Sequence, residues 1–205
     1  MGKKYENILF VAKSVPLKSR YIPVIKHKDI TESYGSLCFD EYFDVFDLEK
    51  NEFKNINFSL HKGEVLGLSG VIGSGIEQLT RVLFGFLKPT TGEIYINGQL
   101  IELNSPKDAV KNGIGYLPKD RRSEGLIQFM SLSNNLTLTN LNNIKKYGII
   151  SRKKEIDLTN EWINKLSIKA NNVDIICNYL SGGNQQKVVL AKWMHAGVSI
   201  MIMDH

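Results

Sequence analysis

Val65-Leu66-Gly67-Leu68-Ser69-Gly70-Val71-Ile72-Gly73-Ser74-Gly75-Ile76-Glu77 is the stretch that decides the fold. A short apolar strand runs into a glycine-rich loop, and the loop opens a helix. The helix places Leu79, Val82, Leu83, Phe86 and Leu87 at three- and four-residue spacing, and Pro89 is expected to end it. Backbone N–H groups of such a loop, with the positive end of the following helix, form a cradle for phosphate. The usual pattern is G-x-x-x-x-G-K followed by Ser or Thr. Gly70, Gly73, Ser74 and Gly75 supply the glycine part, but Ile76 stands at the lysine position and Glu77 at the Mg2+-binding hydroxyl position. The missing lysine would make charge-assisted bonds to phosphate worth ~1.5–3 kcal/mol each. The Glu77 carboxylate repels phosphate, and Arg81 is spaced to pair with it along the helix. Two readings of the loop stay open: a weak nucleotide site with little hydrolysis, or a strand-to-helix turn without a ligand.

Outward from this unit, Leu37 to Leu48 and the alternating Phe53 to Leu60 predict strands. Glu93 to Ile96 predicts another, entering a tight turn at Asn97-Gly98. Pro106 to Lys111 predicts a short helix and Gly113 to Leu117 a buried strand. Residues 1–36 lack periodicity and read as a tail or linker, with Pro16 and Pro23 as breakers. Residues 118 to about 178 are polar and helical in pattern, like a helical insert in an α/β domain. There Ser151 is expected to cap a helix with Ile156, Trp162, Ile163 and Leu166 on its inner face. The chain then returns to Ser181-Gly182-Gly183, a helix carrying Leu190, Trp193 and Met194 on its core face, and an apolar strand, Ser199 to Met203.

The composition excludes several classes. With 205 residues, 42% hydrophobic and 23% charged, the chain is too apolar for disorder and suits one domain, or one plus a small subdomain. Cys38 and Cys177 are too few for a disulfide scaffold and have no metal-like spacing. His27, His61 and His195 form no ligand pattern. No transmembrane span, secretory signal or myristoylation motif is legible, so work at a membrane would go through a partner. The net charge of +5 is scattered, with clusters at Lys26-His27-Lys28, Arg121-Arg122 and Arg152-Lys153-Lys154. These read as solvated faces, and no nucleic-acid partner is expected.

Leu180-Ser181-Gly182-Gly183-Asn184-Gln185-Gln186-Lys187 opens the late helix, with Ser181 as its N-cap. This octet resembles the signature motif of ATP-binding cassette (ABC) ATPases, in the variant of ribose-, galactose- and xylose-type sugar importers. Residues 67–79 resemble the degenerate Walker A of the second nucleotide-binding domain in those proteins. Residues 115–126 resemble the segment replacing their Q-loop, with Lys119 or Asp120 at the glutamine position. Ile200 to Asp204 resembles a Walker B strand. The resemblance spans residues 50 to 205. It implies an α/β P-loop NTPase core, an antiparallel β subdomain and a helical signature subdomain, with residues 37–205 as a partial domain whose helical part is about 118–180.

The resemblance also implies a mechanism. Two cassettes meet head to tail, and each ATP lies between one partner's Walker A and the other's signature. Ser181, Gly182, Gly183 and Gln185 would act in trans, with Ser181 on the γ-phosphate. Gly70, Gly73, Ser74, Gly75, Ile76 and Glu77 would form a weak or empty local ATP site, and Asp204 could orient Mg2+ or merely end a buried strand. Implied partners are a second cassette, membrane permease subunits and, indirectly, a sugar-binding protein, at the cytoplasmic face of the membrane. Phe43 and Phe46 are candidates for an adenine-stacking aromatic, although each fits a strand core. His205 stands where a catalytic Glu would follow. Ending at the Walker B strand is expected to leave its flanks unpaired and the chain poorly stable. A rival reading is a non-catalytic fragment of a disrupted gene. A DNA-associated cassette is disfavoured because residues 118–178 show no sustained heptads.

Overall fold

The computed structural model describes residues 7–11, 24–26, 41–70 and 73–204. Chain contacts divide it into two compact units, residues 1–116 with 198–205, and residues 117–197.

The first unit holds two sheets. Strands β1 (Asn7–Val11) and β2 (Val24–Lys26) precede β3 (Glu41–Lys50), β4 (Phe53–His61) and β5 (Val65–Leu68). After the glycine loop come α1 (Ile76–Leu83), β6 (Thr91–Ile96), β7 (Gln99–Ile101), α2 (Pro106–Lys111) and β8 (Ile114–Leu117). The order β4-β3-β6-β7 makes an antiparallel sheet. Its β6–β7 turn is the expected one, with Asn97 and Gly98 both at positive φ, as a two-residue hairpin loop requires. Phe43, Val45, Leu48 and Leu60 are fully buried in this unit. Phe46 is not a core residue: it lies on the outer face, 44% exposed, with its ring edge against Tyr95. Phe46 follows buried Val45 and so falls on the opposite face, while the register shift between Val45 and Leu48, where Asp47 has φ 46°, returns Leu48 to the buried side.

The second sheet has the order β2-β5-β1-β11-β8, where β11 is Ile200–Asp204. β1 pairs in parallel with both β5 and β11, and β2 runs antiparallel to β5 at the edge. Two expectations change here. Residues 1–36, read as a tail, supply two strands, and β11 is flanked by β1 and β8 rather than left unpaired. The reason is that β1 is inserted from far away in sequence, and no local period announces such a pairing. Pro16, Pro23, His27, Cys38 and His205 lie outside the described residues.

Helix α1 ends earlier than its apolar spacing suggests, at Leu83 rather than beyond Leu87. Gly85 adopts φ 76°, and its N–H donates to the Val82 carbonyl while that of Phe86 reaches the Arg81 carbonyl. A left-handed glycine terminates the helix in this way. A Cβ on Gly85 would also lie 2.6 Å from the Ser105 carbonyl oxygen, so the stop is fixed by packing.

The second unit contains a π-turn at Arg121–Gly125, α3 (Leu132–Thr137), a hairpin of β9 (Lys145–Lys146) and β10 (Ile149–Ile150), α4 (Arg152–Leu166) and α5 (Gly182–Ala196). Asn135, 1% exposed, holds its entry loop: Ile127 N–H donates to Asn135 Oδ1, and Asn135 Nδ2 donates to the Ile127 and Ser131 carbonyls. Helix α4 buries Glu155 and Thr159 alongside Trp162, whereas Ile156, Ile163 and Leu166 are half-buried. Apolar spacing could not reveal this, because Glu155 is held by Arg152 and by the Thr137 hydroxyl. Ser151 occupies the N-cap of α4 without a side-chain capping bond. On α5, Trp193 is buried as expected, while Leu190 and Met194 are half-buried and Val188, Val189 and Ala191 form the deepest contacts.

Candidate functional site

In the first unit, β5 delivers the chain into the loop, whose residues Val71 and Ile72 lie outside the described set. Gly73 and Gly75 adopt φ 83° and 87°, a region that L side chains rarely enter. A Cβ on Gly75 would stand 2.8 Å from the Glu52 carbonyl oxygen, and one on Gly70 would stand 2.8 Å from the Ile76 Cδ1. The chain's own folding therefore demands Gly73 and Gly75, with or without a ligand, whereas Gly70 is crowded only by the side chains of Ser74 and Ile76. Ile76 is 3% exposed and points its side chain at Gly70, so the lysine position has become part of the core. Ser74 is buried, and Glu77 is exposed and pairs loosely with Arg81 at 3.9 Å. Arg81 also lies 5.8 Å from the centre of the Phe86 ring. A phosphate here would meet backbone N–H groups and the start of α1, but no cation within the loop.

Asp204 ends β11, 5% exposed. Its Oδ2 accepts from the Tyr116 hydroxyl at 2.9 Å, while its Oδ1 is buried without a hydrogen-bond partner among the described residues. Burial first, and then the nearby Asp204 charge, push the Tyr116 phenol well above its ordinary range, so Tyr116 stays a donor. Its ring stacks on Phe84 at 5.2 Å, which fixes the hydroxyl beneath the carboxylate. A buried carboxylate oxygen with an open lone pair suits a metal-bound water. Tyr116 was not legible as a partner, because 88 residues separate it from Asp204.

In the second unit, Ser181 sits at the N-cap of α5 with φ −60° and ψ 155°, yet its hydroxyl bonds no N–H of the first turn. It accepts instead from Asn184 Nδ2 at 2.9 Å, and Asn184 Oδ1 accepts from the Lys169 N–H at 2.9 Å. The first N–H groups of a helix have no partner within it, so the start of α5 keeps its donors for something outside the helix. Gln185 is fully buried, and its Nε2 donates to the Cys177 carbonyl at 3.0 Å, anchoring the segment that enters the turn. Arg121 packs beneath Gly182, where a Cβ would lie 2.3 Å from its guanidinium. Gly183 differs. It is helical, and a Cβ there would meet nothing within 4 Å. Asn184 was read from sequence only as part of the octet, and Arg121 only as part of a basic cluster on a solvated face; their contacts with Ser181 and beside Gly182 were not legible there.

Asp120 is exposed and tied into its own turn. Its Oδ1 accepts from Arg122 and Ser123 N–H groups, and hydrogen bonding, chiefly to the Ser123 side chain, holds its carboxyl below the ordinary range. Lys119 is exposed. No group of three His, Cys, Asp or Glu side chains that could hold a metal occurs among the described residues.

Beneath α5, Lys192 donates to the Gly125 carbonyl at 2.6 Å, and burial pulls its ammonium down to about 8. Burial pushes the Cys177 thiol up to about 11. Between pH 8 and 9 the folded chain releases a Lys192 proton that the unfolded chain keeps, so stability should rise. The slope of a single titrating group is on the order of 1 kcal/mol per pH unit. Above pH 9 the folded chain keeps the Cys177 proton that the unfolded chain loses, which opposes the rise. Urea midpoints should therefore climb from pH 8 to 9 and then flatten. Lys192→Met should remove the climb and leave a decline above pH 9.

A strand, glycine loop and helix on a mainly parallel sheet, an antiparallel sheet, and a helical unit whose last helix opens at Leu180-Ser181-Gly182-Gly183 together define a nucleotide-binding cassette. The ABC transporter family model matches residues 53–205, and the chain belongs to that family. Among curated relatives, the ribose import ATP-binding protein RbsA of Clostridium tetani is 47% identical over 159 residues, covering 76% of this chain and 31% of the relative. RbsA of Bacillus subtilis is 37% identical over 181 residues, covering 86% of this chain and 37% of the relative. The chain thus spans about a third of the length of these relatives. Among solved structures, a nucleotide-free ATP-binding cassette from an ABC transporter aligns with TM-score 0.64 at 22% identity, covering 80% of this chain and 69% of that one. A dimeric cassette bound to ADP and Pi aligns with TM-score 0.60 at 20% identity, covering 80% and 73%. These two likenesses establish the fold.

Proposed function

We propose that this chain is part of the ATP-binding component of a sugar importer, with ribose as the leading cargo, and that it lends its signature turn to a partner cassette's nucleotide. The relatives named for ribose import support the cargo class. The observation that carries the division of labour is the contrast between the two glycine turns. The chain's own backbone conformation accounts for Gly73 and Gly75, whereas neither backbone conformation nor packing accounts for Gly183. Glycine inside a helix costs about 1 kcal/mol against alanine. Close approach by a group from outside the chain accounts for its presence there.

MgATP held on the partner's loop supplies the phosphoanhydride bond that is broken. In this chain, the Ser181 hydroxyl, the Gly182 and Gly183 N–H groups and the start of α5 form a donor surface for phosphate oxygens. Asn184 orients the Ser181 hydroxyl, and Gln185 holds the turn against the Cys177 carbonyl. The chain's own loop is a weak nucleotide site, because Ile76 is buried where a cation is needed. Asp204 is assigned to metal orientation on the strength of its open Oδ1. The remaining proposed partners are permease subunits and a sugar-binding protein, at the cytoplasmic face of the membrane.

The test is the ATPase rate of a partner cassette with an intact Walker A, alone and with this chain. Stimulation on mixing is expected. No stimulation in a pair shown by light scattering to be assembled would overturn the proposal.

A further inference from the structure

The β9–β10 hairpin belongs to no part of the nucleotide chemistry. Its two-residue tip, Tyr147-Gly148, has positive φ at both positions, and Ile149 pairs with Lys146 and Ile150 with Lys145. Tyr147 is 94% exposed, Ile149 75% and Ile150 49%. The first turn of α4 adds exposed Lys153 and Lys154, and the Lys154 ammonium donates to the Lys145 carbonyl at 2.8 Å, which ties the helix start to the hairpin. Neighbouring acids do not cancel this charge. Glu155 and Asp174 both pair with Arg152, and only Asp157 stands exposed one turn further along α4. Lys145, Lys146, Lys153 and Lys154 form no ion pair among the described residues. The Lys146 ammonium lies 5.6 Å from the centre of the Tyr147 ring, so charge and aromatic face travel together.

We propose that this hairpin docks on the anionic surface of a phospholipid bilayer, with Tyr147, Ile149 and Ile150 entering the headgroup layer and the four lysines facing lipid phosphates. Protruding aliphatic and aromatic side chains ringed by lysine match such a surface, which is apolar beneath and negative on top. An acidic protein would account for the lysines but not for three apolar side chains on a convex tip. A nucleic acid would stack on Tyr147 but has no use for two isoleucines. No helix of the described residues is long and apolar enough to cross a membrane, so the contact is peripheral. The inference stands apart from the signature turn and does not depend on cassette pairing.

Flotation of the full chain with vesicles tests it. Binding to vesicles containing phosphatidylglycerol should exceed binding to pure phosphatidylcholine by roughly tenfold or more. Lys145→Gln with Lys146→Gln should weaken the first by roughly 10- to 30-fold. Ile149→Ser with Ile150→Ser should weaken it by roughly tenfold. Tyr147→Ser, at the tip outside the strand pairs, supplies an independent variant whose circular dichroism should match the parent and whose binding should fall. Equal binding to both vesicle types, no flotation with either, or loss only in the lysine variant would overturn the proposal. The last result would assign the surface to a purely acidic partner.

Discussion

Ser181→Arg abolishes stimulation of a partner cassette while leaving this chain folded; that is the largest expected effect. The native hydroxyl contributes no capping bond to α5, and its one side-chain contact is with exposed Asn184. Replacing it removes little that holds the helix, so the urea midpoint should barely move. The functional consequence is different. A long side chain at the N-cap covers the donors of the first turn and fills the space that phosphate oxygens must enter. Loss of one positioned donor to a developing negative charge costs roughly 100- to 1,000-fold in rate. Steric exclusion adds to that, so the mixed ATPase rate should fall to that of the partner alone. Asn184→Ala offers a graded comparison: it removes the amide that orients Ser181 and should lower stimulation without eliminating it. Full stimulation by Ser181→Arg would contradict the role given to this turn.

Converting the chain's own loop is the second large effect. Ile76→Lys combined with Glu77→Ser should raise MgATP affinity of the isolated chain by roughly 10- to 100-fold, measured by nucleotide titration. The gain follows from one or two charge-assisted bonds to phosphate at ~1.5–3 kcal/mol each, together with removal of the Glu77 carboxylate. It comes with a loss of stability without nucleotide, since Ile76 is 3% exposed and its side chain tip lies beside Gly70. An ammonium in that position has to leave the core and turn into the loop, at roughly 1–3 kcal/mol. Parent and double variant binding MgATP equally well would show that backbone donors alone suffice, against the assignment of a weak local site.

Much of this protein was legible before any coordinates. The β5–loop–α1 unit was readable because strand, glycine and helix signals fall within a few residues of one another. The Asn97-Gly98 turn was readable because it depends on contacts along the chain that residue type controls directly, and the Leu180 to Lys187 octet was readable through its resemblance to a family motif. The burial of Ile76, named from sequence only as a member of a weak ATP site, became visible in the folded chain.

Tertiary structure decided what depends on distant partners. The insertion of β1 between β5 and β11 joins residues near 8 to residues near 66 and 201, and no period in the sequence points across that gap. The Tyr116–Asp204 bond, the end of α1 against Ser105 and the burial of Glu155 under Arg152 are likewise settled by neighbours that folding brings together. The sequence by itself determined the class of fold, because strand, glycine and helix signals follow from local backbone freedom and apolar spacing, and its resemblance to a known family supplied the role proposed for the Ser181 turn. Only the folded chain showed that Gly73 and Gly75 serve the fold while Gly183 has open space before it, because an empty direction is a property of three-dimensional packing.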